Sequence, residues 1–496
     1  MPEPRFLDGS DASVRRLDAA VAAIGAALAR HARPGPGPGS EGAAWSGIDT
    51  DELRALVDAL DPLPPDGLPF DDVVDEVGRI VLANAVRPTD RATVAHLHSP
   101  TLLAAAATEV AIGATNQSMD SYDQAPAATL VEDRLVRRLA ELCGLPPTGS
   151  GVMTAGGTAS NLLGLVLARE SAARRRGLDV AAEGLGPATA PWRILASADA
   201  HFSVTRAAML MGLGRNAVVA VACDEGGAMD ADALDRVADE VVAGGGEVIA
   251  VVGTAGSTDL GAIDPLDRLA DVAARLGAWF HVDAAVGGAL VVSHRLRPRL
   301  AGLERADSVT IDLHKLWWQP ISASVLLVAD EASFGLIRRH SEYLDREEDA
   351  EAGVLNLVGR SLDTSRRFDA LKALLSFRAT GTRTLARMLE HLVDTATSTA
   401  DAIKARDDVE LLATPTSVMV VFRWIGDGTL GADELDRVNT EVQRRLFDSG
   451  RAVIGRTRHR GVVALKFTLV NPLLELAHLV ALVDLVAAEA AAVTAG

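Results

Sequence analysis

The apolar positions change period near residue 150. Before it they recur at helical spacing. After it, short apolar runs alternate with helical stretches. Residues 11–32 form an Ala-rich pattern that places Val14, Leu17, Val21, Ile24 and Leu28 on one helical face. A second helix opens at Asp49-Thr50-Asp51-Glu52, with a cap and an acidic first turn, and Pro62-Leu-Pro-Pro stops it. A third spans 71–86. Between the first two lies Pro34-Gly-Pro-Gly-Pro-Gly39, read as a mobile linker. These helices are amphipathic but too few to bury a core of their own. They are expected to pack on the main body or on a second copy of the chain.

From Gly151 the pattern predicts strands at 151–155, 194–197, 217–222, 248–253 and 279–283, each followed by a helix or a Gly-rich turn. Two more short strands, 308–311 and 322–328, flank a polar turn. This is an α/β chain built on a doubly wound sheet, and its ligand site belongs at the carboxyl ends of the strands. Residues 370–399 read as mainly helical. Residues 400–496 predict helix, strand (417–423), helix (433–447), strand (462–468) and a closing helix, a small α/β domain. The expected division is an N-terminal helical segment (1–92), a large α/β domain (93–390) and a small C-terminal α/β domain (391–496). No internal repeat is visible.

Composition narrows the class. The 496 residues exceed one compact core, and 48% hydrophobic content suits a large α/β protein. The formal net charge of -19, with the acidic residues scattered, argues against nucleic acid or an anionic membrane as partner. Two cysteines, Cys143 and Cys223, make neither a disulfide framework nor a cysteine metal site. No apolar signal core follows the N-terminus, and Gly or charge breaks the longest apolar runs, so a cytoplasmic enzyme is expected.

Candidate chemistry falls where strands end. Thr154-Ala-Gly-Gly-Thr-Ala-Ser-Asn161 joins a strand to a helix. Its glycines let a ligand approach the backbone, and Thr158, Ala159 and Ser160 open the helix, making either an anion site or a plain cap. Asp199-Ala-His201-Phe-Ser203 and Gly253-Thr-Ala-Gly-Ser-Thr258 follow two more strands. In His281-Val-Asp283-Ala-Ala285 a buried carboxylate is followed by small residues that leave space for a flat ring. Asp312-Leu-His314-Lys315, braced by Trp317, Trp318 and Pro320, puts a lysine on a tight turn between buried strands, where desolvation favours a nucleophilic amine. Upstream, His96-Leu-His98-Ser99-Pro-Thr is a compact polar turn. With no third ligand at usable spacing, His96 and His98 predict turn hydrogen bonds or substrate contact rather than a metal. Asn116–Pro126 is a long polar loop carrying Asp120, Tyr122 and Asp123. A phosphate nest, an aromatic base, a buried carboxylate, a small flat-packing residue and an activated lysine together are what a pyridoxal phosphate enzyme needs.

From His96 onward the chain resembles the group II pyridoxal-phosphate-dependent amino-acid decarboxylases. Gly-Gly-Thr-Ala-Ser-Asn, Ala-His-Phe-Ser, His-Val-Asp-Ala-Ala and Asp-Leu-His-Lys-Leu-Trp-Trp-Gln-Pro occur in the family's order. The polar turn, the 116–126 loop, Ser365-Arg-Arg-Phe-Asp-Ala-Leu-Lys372 and Ile454-Gly-Arg-Thr-Arg458 with 465–472 resemble the branch acting on 2,4-diaminobutyrate, lysine and ornithine. The resemblance implies the aspartate-aminotransferase-like fold (fold type I) and a homodimer with shared active sites. It implies that Lys315 holds the cofactor covalently, that Asp283 pairs with the ring nitrogen, that Ala285 backs the ring, and that His201 stacks on its face near the substrate carboxylate. Thr158, Ala159, Ser160, Thr258, Asp312 and His314 fall among the cofactor-binding positions. His98, Ser99, Asp120, Tyr122 and Asp123 fall among the substrate-binding ones. Asp312 stands where aromatic-amino-acid decarboxylases carry Asn.

The expected reaction is loss of carbon dioxide from an L-amino acid, most readily a diamino acid, to give the amine. Lysine, ornithine, glutamate and aromatic amino acids are alternative substrates. An aldehyde-forming oxidative reaction and a non-catalytic relative are alternative outcomes. Counting back from Arg366-Arg367-Phe368, Leu357 occupies the place of a mobile-loop tyrosine that aromatic decarboxylases use to protonate Cα. His201 or a water is then expected to serve. The acidic segment 345–353 reads as a lid. Either Asp120 or Asp123 could receive a distal substrate ammonium, or both could simply cap their loop.

Overall fold

The computed structural model describes residues 6–32, 43–338, 344, 348 and 352–495. The Pro-Gly linker at 34–39 and most of the predicted lid at 345–353 lie outside the described residues. The chain forms two compact units. One comprises residues 1–97, 397–412 and 420–496, and the other 98–396 and 413–419.

The larger unit is built on seven strands: β1 (Ser150–Thr154), β2 (Trp192–Ser197), β3 (Val218–Val221), β4 (Glu247–Thr254), β5 (Trp279–Asp283), β6 (Ser308–Asp312) and β7 (Ser324–Val328). Their order is β1-β7-β6-β5-β4-β2-β3. β6, β5, β4, β2 and β3 run parallel, and β7 lies antiparallel between β1 and β6. Apolar runs such as Val248-Ile-Ala-Val-Val are buried on both faces, as a parallel sheet requires. Val282 pairs in register with Gly253 and shares its face, whereas His281 points the other way.

Helices cover both faces. Leu266–Leu276 packs on the Gly253 side, where an added Cβ would meet Leu266 Cδ2 at 2.8 Å. Gly157–Arg175 packs on the opposite side, where a Cβ on Gly164 would sit 2.8 Å from His281 Nδ1. The parallel strands therefore end together, and Thr254, Asp283 and Asp312 are the last residues of β4, β5 and β6.

The smaller unit holds a four-stranded sheet of β8 (Val409–Ala413), β9 (Met419–Trp424), β10 (Gly455–His459) and β11 (Val462–Thr468), in the order β10-β11-β9-β8. The sequence pattern predicts β9 and β11 but not β8 or β10. Within this unit the N-terminal segment finds a partner. Trp45 stacks on Phe447 at 4.7 Å and donates to its carbonyl at 2.7 Å, and Val94 N–H donates to Val453 O at 2.8 Å. The predicted stripe on helix Asp11–His31 is different: Val14, Ile24 and Leu28 are 55%, 46% and 46% exposed. The predicted 71–86 helix is α-helical over Phe70–Val77 and continues as a π-turn to Leu82. Among the described residues one helix, Leu476–Ala495, is long and apolar enough to cross a membrane by length and composition. Its Leu479, Val483, Val486 and Ala490 are buried in the unit, and its Glu489 pairs with Arg451.

Candidate active site

The turn joining β6 to β7 presents Lys315. Asp312 ends the strand, and Lys315 N–H bonds back to Asp312 O at 3.3 Å. The side chains meet again, with Lys315 Nζ 2.9 Å from Asp312 Oδ2. Trp318 holds φ +54°, a left-handed conformation uncommon for a bulky residue, and its carbonyl accepts from Leu102 N–H at 2.9 Å. His314 Nδ1 lies 2.8 Å from Ala323 O and 3.3 Å from Ala323 N, and its Nε2 lies 3.7 Å from Asp312 Oδ2.

Asp283 is 6% exposed, and both of its oxygens are engaged. Oδ1 accepts from Ala285 N–H at 3.1 Å, and Oδ2 accepts from Asn161 Nδ2 at 2.7 Å. Ala285 O in turn accepts from Asp312 N–H at 3.3 Å, which ties the ends of β5 and β6 together. His201, half-buried after β2, accepts at Nδ1 from Ser203. Burial holds its imidazole below the usual histidine range, against the pull of Asp283.

These groups face one cavity of about 560 Å³. Thr158, Ala159, His201, Thr258, Asp283, Ala285, Asp312, His314 and Lys315, separated by up to 157 positions in sequence, all line it. Ser160 does not. Its hydroxyl is buried against Thr154 Oγ1 at 2.6 Å and Ser324 Oγ at 3.1 Å, so its side chain pins the helix start to β1 and β7.

The expected substrate residues lie off this cavity within the chain. Ser99 is buried and donates to His314 O at 3.2 Å, so it props the lysine turn from behind. His98 is exposed. Asp120 is buried and accepts from Ser121 N–H, Asp123 is exposed and accepts from Ser121 Oγ, and Tyr122 N–H donates to Asn356 Oδ1. These two carboxylates cap their own loop. Leu357 is 1% exposed at the start of a 3-10 turn. Of the two tyrosines, Tyr122 is in the 116–126 loop and Tyr343 lies outside the described residues. Among the described residues no group of three or more His, Cys, Asp or Glu could hold a metal ion.

Residues 53–425 match the family described as the pyridoxal-dependent decarboxylase conserved domain. The chain belongs to the pyridoxal-dependent decarboxylases. It is 42% identical over 428 residues to an L-2,4-diaminobutyrate decarboxylase of Rhizobium meliloti (strain 1021), covering 86% of this chain and 83% of that one. A protein of the same description from Acinetobacter baumannii is 37% identical over 455 residues, 90% of this chain and 88% of the other. A solved structure from Vibrio parahaemolyticus superposes with a TM-score of 0.88 at 35% identity, covering 98% of both chains. It is the glutamate decarboxylase domain of a protein described as diaminobutyrate-pyruvate transaminase and L-2,4-diaminobutyrate decarboxylase. The fold is thus that of the type I pyridoxal phosphate enzymes, and the decarboxylase is a carboxy-lyase.

The cavity of this decarboxylase fits pyridoxal phosphate. Helix Gly157–Arg175 starts at the cavity with no side chain capping it, and a Cβ on Gly156 would meet nothing within 4 Å, so backbone donors are open to a phosphate. Thr254 Oγ1 and Asp312 Oδ1 are buried without a hydrogen-bond partner. Asp283, held by two donors, turns its carboxylate into the cavity, a charge that would suit a protonated ring nitrogen.

Asn161, His281 and Ser203 lie inside the motifs, but no role for them follows from the sequence. Asn161 contacts Asp283 and Ser203 across 122 and 42 residues. Ile321, which also lines the cavity, carried no signal at all. The position of Asn161, one helical turn past Gly157 on the face turned to the sheet, was the available clue.

Proposed function

We propose that this decarboxylase acts on L-2,4-diaminobutyrate and releases carbon dioxide and propane-1,3-diamine. The observation that carries this reading is that two relatives of that description each match more than four fifths of the chain.

When bound, pyridoxal phosphate supplies a carbonyl that condenses with an amine and a ring that takes up the electron pair left by carbon dioxide. Lys315 would hold it covalently through Nζ until the substrate amine took that place. Asp283 keeps a proton on the ring nitrogen. His201, which lines the cavity, would cover the ring face, and its Nε2 would hold the proton delivered to Cα, since Leu357 brings no acid to the loop. Thr158, Ala159, Thr258 and His314, which line the cavity, would surround the phosphate, and Ala285 would back the ring.

The chain works as a homodimer with shared sites in the cytoplasm, without nucleic acid or membrane partners. The uncovered apolar stripe of helix Asp11–His31 and the net charge of -19 support this. In such a dimer the 116–126 loop serves the other subunit's cavity, and Asp120 or Asp123 receives the distal substrate ammonium.

The test is carbon dioxide release from diaminobutyrate, ornithine, lysine, glutamate and aromatic amino acids, with the products identified. Diaminobutyrate should give the highest kcat/KM and a diamine. A preference for glutamate or an aromatic amino acid, or an aldehyde with ammonia, would overturn the reading. Asp120→Asn and Asp123→Asn should separate their roles. If both leave discrimination against 2-aminobutyrate intact, neither binds the ammonium.

A further inference from the structure

Asn161 is the centre of a buried row of polar side chains that reaches two walls of the cavity. Its Nδ2 donates to Asp283 Oδ2 at 2.7 Å and to Ser203 Oγ at 2.8 Å. Its Oδ1 lies 3.0 Å from His281 Nε2. An amide oxygen only accepts, so His281 carries its proton on Nε2. His281 Nδ1 then accepts from Ser308 Oγ at 2.8 Å, and Ser308 Oγ accepts from Trp279 Nε1, also at 2.8 Å. The indole N–H can only donate, which agrees with the sense already set by the Asn161 oxygen. Asn161, His281 and Ser308 are at most 1% exposed, so water does not compete for these roles. Burial pushes the His281 imidazole down to about 4, against the pull of Asp283, and it stays neutral.

The row ends at His201. Ser203 Oγ receives a hydrogen from Asn161, which directs its own hydrogen to His201 Nδ1, 2.7 Å away. Ser203 N–H approaches the same nitrogen at 3.3 Å. With two donors aimed at Nδ1, neutral His201 carries its proton on Nε2. Turning the Asn161 amide over would press its oxygen against the Asp283 carboxylate and its NH2 against the His281 N–H. Both ends of the row therefore oppose the flip.

We propose that Asn161, His281 and Ser203 are positioning residues that hold His201 as the Nε2–H tautomer and tie that choice to the ring-nitrogen carboxylate Asp283. One carboxylate then acts on both faces of the chemistry. It pairs with the ring directly, and through Asn161 and Ser203 it decides which His201 nitrogen carries a proton. This rests on the site assigned above but not on which amino acid is the substrate.

The experiment is histidine-ring 15N NMR on the full chain, loaded with pyridoxal phosphate and free of it, with the His201 signal identified by its loss in His201→Gln. The wild-type His201 should show the Nε2–H tautomer alone. Ser203→Ala should give mixed tautomers and lower kcat roughly tenfold, the scale of a lost supporting hydrogen bond, with KM changed less than about twofold. Ser203→Thr should restore both. His281→Phe, which removes the donor to Asn161 without touching the cavity, should mix the tautomers as well. An unmixed His201 in Ser203→Ala overturns the proposal even if His281→Phe does not fold. So does a kcat loss that Ser203→Thr fails to restore. A failed substrate panel with the tautomer shifts intact would remove the substrate assignment and leave this inference standing.

Discussion

Asp312 Oδ2 lies 2.9 Å from Lys315 Nζ, while Asp312 Oδ1 is buried with no partner. The same carboxylate crowds the start of helix Gly157–Arg175, since a Cβ on Gly157 would come within 2.9 Å of it. An acid thus stands between Lys315 and the uncapped start of helix Gly157–Arg175, the two groups that would hold the cofactor and its phosphate. If Lys315 held pyridoxal phosphate, its Nζ would be drawn from a simple ammonium into that bond, and Asp312 would lie near the phosphate's negative charge.

Asp312→Asn should therefore bind pyridoxal phosphate more tightly. Removing one like charge near the phosphate is worth about 1 kcal/mol if water screens most of the interaction, or roughly a fivefold lower Kd. Titration of the cofactor-free chain at pH 8 checks this. An unchanged or weaker affinity would mean that the carboxylate points away from the phosphate when the cofactor is in place.

Lys372 holds the other side of the lysine turn. It is fully buried, and its Nζ lies 3.0 Å from Glu109, 2.9 Å from Asp369 and 2.9 Å from Ser322 O. Ser322 follows Ile321, which lines the cavity. Lys372→Met removes one of the two cations on Glu109 and Asp369, Arg367 being the other, and should cost about 1–3 kcal/mol of stability. Urea unfolding measures that cost, and faster loss of bound cofactor should accompany it.

The strand ends were legible because each candidate group follows an apolar run, and parallel sheets collect their chemistry at one edge. Lys315, Asp283, His201 and Thr258 came together for that reason. Ser160 was misleading: a hydroxyl in a Gly-rich helix start suits a phosphate, yet packing sends it to Thr154 and Ser324. The Asn161 row was not legible because its partners are chosen by register and helix packing rather than by spacing. The two unpredicted strands have a plainer cause. β10 alternates charged Arg456 and Arg458 with Thr457 at a sheet edge, so no apolar run announces it. Its hairpin turns at Arg460-Gly461, both at positive φ, without the Asn or Asp that normally marks such a turn. β8, Val-Glu-Leu-Leu-Ala, reads equally well as a helical fragment.

The cysteines should differ in reach. Cys143 is buried, and burial pushes its thiol up to about 12. Cys223 is partly exposed, with its thiol raised by burial but bonded to Ser197 Oγ at 3.0 Å. A disulfide reagent at pH 8 should label Cys223 alone in the folded chain, slowly, and both thiols in urea. Equal labelling of the native chain would contradict the burial of Cys143.

Asp264 predicts a pH dependence that can be isolated. Its Oδ1 accepts from Met229 N–H and its Oδ2 from Thr254 N–H, each at 2.7 Å, and so it holds the end of β4 beside the cavity. Burial raises its carboxyl from 3.8 to about 6, against those two donors. The folded chain therefore binds this proton more tightly than the unfolded one. The stabilisation is complete below about pH 3.8 and is lost as pH rises through about 6. The full span is about 3 kcal/mol. Asp264→Asn removes the titration but turns an NH2 toward one of the two backbone donors, costing about 1–3 kcal/mol at every pH. In urea unfolding the wild type should exceed the variant most at pH 4.5, and the gap should narrow as pH rises to 7. A gap that stays constant would show that Asp264 titrates alike in the folded and unfolded chains.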